Sequence, residues 1–100
     1  MIKVIRSVQV QSGKGREAAQ WAQEVTDWLN ARQPGSNIQV FREVFGHAGT
    51  LYWLGDAEDI ATIERQTAER EPDPEWRALV ERAASLLLPG SLHDTLLRSA

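Results

Sequence analysis

The hydrophobic positions of this chain change their period several times, and each change marks an element. Over residues 2–11, Ile2, Val4, Val8 and Val10 alternate with Lys3, Ile5, Ser7 and Gln9, and Arg6 stands within the apolar set. A period of two, rich in β-branched residues, predicts a strand. Gly13 and Gly15 break it. Over residues 16–32, Ala18, Trp21, Ala22, Val25, Trp28 and Leu29 recur at spacings of three and four among Glu17, Gln20, Gln23, Glu24, Asp27 and Asn30. That one-sided stripe predicts an amphipathic helix, and Pro34-Gly35 stops it. Residues 37–46 and 50–55 return to alternation and predict a hairpin about the turn Gly46-His47-Ala48-Gly49. Ile38, Val40 and Val44 share one face there, interrupted by Arg42, and Gln39, Phe41, Glu43 and Phe45 share the other.

Asp56 reads as the cap of a helix over about 57–70, with Glu58 and Asp59 in its first turn and Ile60, Ile63 and Thr67 inward. Asp73-Pro74-Glu75-Trp76 is a second helix start: an acid cap, proline at the first helical position, and an acid in the first turn. Trp76, Leu79, Val80, Ala83, Leu86 and Leu87 form its stripe, and Pro89-Gly90 ends it. Residues 91–99 predict a last strand. The order β-α-β-β-α-α-β predicts an α+β fold, the ferredoxin-like split βαβ sandwich, as one domain over residues 1–100. Helices then cover one face of a four-stranded antiparallel sheet. The other face, with Phe41 and Phe45 among polar residues, needs a different cover. A homodimer packed sheet against sheet is the expected solution.

Composition narrows the chemistry. One hundred residues are too few for two full domains. Eleven basic against 14 acidic residues argue against a nucleic-acid partner. No run approaches the ~20 apolar residues of a membrane helix. No basic-then-apolar leader pattern opens the chain, so a cytoplasmic location is expected. With no cysteine, disulfides, thiol catalysis and thiolate metal sites are excluded. No His-x-x-x-His pair or acid-rich loop is present, so no metal or other cofactor is expected. Gly13-Lys14-Gly15 lacks the remainder of a phosphate loop, and no serine has the Gly-x-Ser-x-Gly context of a hydrolase. The acid run Glu64 to Glu75, alternating with Arg65, Arg70 and Arg77, reads as a solvated surface with weak local ion pairs.

The first strand, the Gly13-Lys14-Gly15 break, the tryptophan-bearing helix, the hairpin and the Asp73-Pro74-Glu75-Trp76 segment together resemble the dimeric α+β barrel superfamily, most of all its NIPSNAP-type domains. The resemblance spans nearly the whole chain and implies the ferredoxin-like fold and a dimer. The superfamily includes heme-degrading monooxygenases, cofactor-independent quinone-forming monooxygenases, muconolactone isomerases and polyketide cyclases, so it selects no reaction. Its heme-degrading members place an asparagine on strand one against the substrate, where this chain has Arg6.

Six residues are candidates for a site. Arg6, amid an apolar face, demands an anion, either a ligand or an internal acid. Arg42 repeats the pattern. Two guanidiniums suit a carboxylate, and pairing with Glu24 or Asp94 is the alternative. Tyr52 and Trp53 are strand neighbours, so one points into a pocket and the other to the dimer face. An aromatic wall suits a planar ligand, although plain core packing also explains it. Trp21, Trp28 and Trp76 read as core. His47, in the turn, and His93, beside Asp94, are the only histidines and thus the candidate general bases. One reading is a small-molecule protein acting on a planar organic acid by oxidation or isomerisation, with Arg6 and Arg42 holding the acid and Trp53 walling it. The other is a non-catalytic interaction module with internally satisfied arginines and no cavity of about 300 Å³ or more.

Overall fold

In the computed structural model, which describes residues 1–100, seven elements follow in order. They are β1 Ile2–Gln9, α1 Gly15–Arg32, β2 Gln39–Arg42, β3 Thr50–Ala57, α2 Ile60–Arg70, α3 Pro74–Ala83 and β4 His93–Arg98. The sheet order is β2-β3-β1-β4, with every neighbouring pair antiparallel. This is the expected ferredoxin-like sandwich. The strands with the longest apolar sets, β1 and β3, take the two central places, where both edges of the backbone are paired.

Register decides which side chains meet. Val40, Trp53, Arg6 and Asp94 form one cross-strand row, and Phe41, Tyr52, Ser7 and His93 form the next. Adjacent rows face opposite sides of a sheet. The first faces the helices, because the Trp53 indole N–H donates to Thr26 Oγ1 of α1 at 3.1 Å. The second lies on the open face.

The core sits between the sheet and α1. Ala18, Trp21, Ala22, Val25 and Leu29 of α1 pack with Val8, Leu51, Trp53, Leu79 and Leu86. Trp21 is the centre of this contact: its ring meets Trp53 edge-on at 5.8 Å, and its N–H donates to the Leu79 carbonyl of α3. Trp28 and Trp76 are only half-buried, their rings 5.3 Å apart at the seam of α1 and α3. They staple two helices together without entering the core.

The structure corrects the sequence reading in several places. Asp56 is a strand residue paired with Lys3, not a helix cap. The cap role falls to Asp59, whose carboxylate accepts from Thr62 N–H at 2.8 Å. Strand pairing out to Ala57 wins because β1 offers its whole length to β3. Gly55, read as a strand end, is therefore interior. A Cβ there would stand 3.2 Å from Ile38 Cγ1, so its absence lets the incoming chain lie against the strand. The Asn30 side chain fixes that chain by bonding both the N–H and the carbonyl of Ile38. The first hairpin strand ends at Arg42, and Val44 and Phe45 leave the sheet altogether, 76% and 91% exposed. On α2, Ile60 is exposed and Thr67 largely so, and the helix buries no residue fully. No helix is long and apolar enough to cross a membrane.

Candidate functional site

α2 does not press onto the sheet, and the space it leaves is a cavity of about 330 Å³ between the sheet and the three helices. Val4 and Val8 of β1 and Trp53 of β3 form the floor. Trp21, Val25 and Leu29 of α1 make one wall, and Trp76, Leu79 and Ala83 of α3 another. Ile63, Gln66, Thr67 and Arg70 descend from α2. The lining is mostly hydrophobic; Arg6, Asp94 and Arg70 are near neighbours in it, and Asp56, also on the lining, is paired with Lys3. A largely apolar concavity with a few convergent polar groups has the make-up of a small-molecule site.

Arg6 stands on the helix face of β1 because the strand's alternation puts it there, and the register sets Asp94 beside it. The two form a bidentate pair, Nε to Oδ1 at 2.6 Å and Nη2 to Oδ2 at 2.8 Å. The hydrogen bond from Arg6 holds the Asp94 carboxyl below the usual carboxylate range. The same bond raises the Arg6 guanidinium, against the effect of its burial. Asp94 is thus a firmly ionised partner and a poor proton acceptor.

Trp53 is buried and walls the cavity, its indole N–H already engaged by Thr26, which in turn donates to the Ala22 carbonyl. It offers a ligand a ring and no hydrogen bond. Tyr52 points the other way, and its hydroxyl donates to Glu43 on the open side. That bond raises the Tyr52 phenol and lowers the Glu43 carboxyl.

Three more of the expected site residues lie elsewhere. Arg42 is exposed on the edge strand β2 and does not line the cavity. It shares the helix-side row of Leu51 and Val8, but at that end of the edge strand its side chain is left exposed. Its proposed alternative partners are taken, Glu24 by Arg82 at 2.6 Å and Asp94 by Arg6. His47 is exposed in the turn, where its backbone N–H donates to Glu43. His93 is exposed on the open face, on the opposite side of β4 from Asp94. Neither histidine reaches the cavity, so the expected general bases are absent from it. No group of three or more His, Asp or Glu is placed to hold a metal ion.

The residue missed by the sequence reading is Arg70. Far from being a solvated helix residue, it is half-buried and lines the cavity, its guanidinium 4.9 Å from the centre of the Trp76 ring. Burial chiefly pushes its pKa down, and the nearby Arg6 charge adds to this. The signal was present: Ile63, Thr67 and Arg70 recur at spacings of four and three, on the inward stripe of α2. It was hidden by the dense charge around it, such as the Arg65–Glu69 pair on the same helix.

No family model matches the chain, and no curated protein does. Solved structures do. The chain superposes over 100% of its length on 95% of an uncharacterised NIPSNAP domain protein from Burkholderia xenovorans, with a TM-score of 0.84 at 17% identity. A NIPSNAP-like domain protein from the same organism matches 99% of the chain and 84% of its own, with a TM-score of 0.83 at 22% identity. A protein of Deinococcus radiodurans, provisionally described as an antibiotic biosynthesis monooxygenase, matches 100% of the chain and 93% of its own, with a TM-score of 0.75 at 9% identity. The fold is therefore the α+β ferredoxin-like one shared by these proteins. More narrowly, it has the form seen in NIPSNAP domain structures.

Proposed function

We propose that this chain is a small-molecule-binding protein whose cavity takes a planar, mostly apolar molecule bearing an anionic group. One observation carries the reading: a cavity of about 330 Å³ lined chiefly by apolar side chains brings the Arg6 and Arg70 guanidiniums together beside the Asp94 carboxylate. A packed interaction module has no use for that space. The Arg6–Asp94 pair answers the demand for an internal acid at Arg6, but it leaves the cavity open. Two reactions fit the bound acid: an isomerisation, or a cofactor-independent oxygenation in which dioxygen is the oxidant. The arginines would stabilise negative charge developing on the acid. With both histidines outside the cavity, this chemistry would rest on electrostatics and exclusion of water rather than on a histidine base.

The homodimer belongs to the same reading. The open face presents Phe41 and Leu97, each 50% exposed, which a second sheet would cover. Light scattering should return twice 11.2 kDa, and a particle of 11.2 kDa overturns the dimer. Titration with aromatic carboxylates, followed by tryptophan fluorescence, tests the cavity. A saturable change is expected in the wild type, because Trp21 and Trp53 line the space. The response should weaken in Arg6→Ala, which leaves Asp94 as an unpaired negative charge. No response in the wild type, or an unaltered one in the variant, overturns the binding role.

A further inference from the structure

We propose that Arg70 is the anion anchor of this cavity and that the ligand is a monoanion, a carboxylate carried on an apolar or aromatic body. The proposal rests on reading the cavity as a binding site, and it names the residue and the charge that reading leaves open.

The argument is a charge balance. Arg6 and Asp94 neutralise each other through two hydrogen bonds. Arg70 takes part in none of the protein's six ion pairs. Asp94 and Glu71 attract it through space, and Arg6 repels it. Asp56, the other carboxylate of the lining, is neutralised by Lys3, so the three charges of Arg6, Asp94 and Arg70 sum to one positive. An exposed arginine such as Arg42 needs no partner, because water supplies one. Arg70 is half-buried against Trp76 and has lost part of that water.

Arg32 makes the contrast. It stacks on Trp28 at 4.0 Å, as Arg70 stacks on Trp76, yet it also reaches the Glu75 carboxylate at 3.4 Å. The two stacked arginines differ in that one has its anion within the protein and the other faces a cavity. Arg6 bonds Asp94 through Nε and Nη2, so its remaining N–H groups are free to share an arriving anion with Arg70. One carboxylate brings the group to neutrality. A phosphate dianion would leave an excess negative charge beside apolar walls, at a desolvation cost.

Calorimetric titration with 2-naphthoate, its amide 2-naphthamide and 2-naphthyl phosphate tests this, since the three share one ring system and differ in charge. The wild type should bind naphthoate about tenfold tighter than naphthamide, the scale of a charge-assisted hydrogen bond. It should also bind naphthoate tighter than the phosphate. In Arg70→Gln the affinity for naphthoate should fall about tenfold while that for naphthamide stays. Arg70→Lys should retain part of the preference, keeping the charge without the planar fork. Equal affinity of the wild type for acid and amide overturns the anchor and leaves the cavity standing. A preference that survives Arg70→Gln overturns the assignment to Arg70. Tighter binding of the phosphate overturns the monoanion. If no probe binds, the cavity reading and this proposal fall together. Circular dichroism establishes that the variants are folded. Should Arg70→Gln unfold, the lysine variant and the wild-type acid–amide comparison decide.

Discussion

α1 and α2 are both amphipathic helices on the same side of one sheet, yet they do different work. α1 buries Ala18, Trp21, Ala22, Val25, Thr26 and Leu29, and α2 buries nothing completely. The cause is in their inward positions. α1 offers two alanines that let it approach the sheet and a tryptophan that fills the space beyond. α2 offers Ile63, Gln66, Thr67 and Arg70, of which only Ile63 is apolar. A helix with so polar an inner face gains little by closing on the sheet. It is held at its ends instead, by the Asp59 cap and by the stacking of Arg70 on Trp76. One helix makes the core, and the other roofs a cavity.

The comparison breaks most directly at Trp21. Trp21→Ala removes a buried ring and a buried hydrogen bond, and should cost about 3–5 kcal/mol in denaturant unfolding. Ile63→Ala, the largest apolar truncation on the inner side of α2, should cost about 1 kcal/mol. Equal costs would make α2 part of the core.

Next in size is the Asp59 cap. Asp59→Ala should destabilise α2 by leaving the Thr62 N–H without its cap. Hydrogen exchange should show the loss as faster exchange confined to α2 amides, with α1 amides still protected. Acceleration in both helices would mean that they unfold as one unit.

Asp94 sharpens the comparison from the sheet side. Its carboxyl is held low by Arg6 in the folded chain, so the pair stabilises at neutral pH. That contribution is complete above the ordinary carboxylate value of about 3.9 and is lost as pH falls through the folded-state value. Arg6, raised in the fold, loses its share only at strongly alkaline pH. Asp94→Asn should therefore lower stability at pH 7 by under about 1 kcal/mol, since the pair is partly exposed. The gap between variant and wild type should begin to narrow as pH falls below about 4 and close once pH passes the lower folded-state value. A gap that does not narrow on acidification would assign the cost to shape rather than charge.

The smallest effect on stability is expected at Arg70. Arg70→Gln should stay within about 0.5 kcal/mol of the wild type. A much larger loss would show that the cation–ring contact with Trp76 is a structural support of α2.

Much of the architecture was legible along the chain. Strict alternation in β1, the three-and-four spacing of α1 and the Asp73-Pro74 start of α3 depend on local geometry, which each segment carries by itself. The same holds for the opposed directions of Tyr52 and Trp53, and for Arg6 as a cation on an apolar face in need of an anion. Periodicity could say that Arg42 shares a face with Ile38 and Val40. It could not say that β2 lies at the sheet edge and leaves its Arg42 end exposed. It could not choose Asp94 over Glu24 for Arg6, because that partner stands 88 positions away and is set by strand register. Nor could it tell the half-buried Arg70 from the exposed charges beside it, since that depends on how closely α2 approaches the sheet. The sequence by itself determined the elements, their inward faces and the need for an anion. The tertiary structure alone decided where the cavity lies and which charges meet in it, because those depend on contacts between segments distant along the chain.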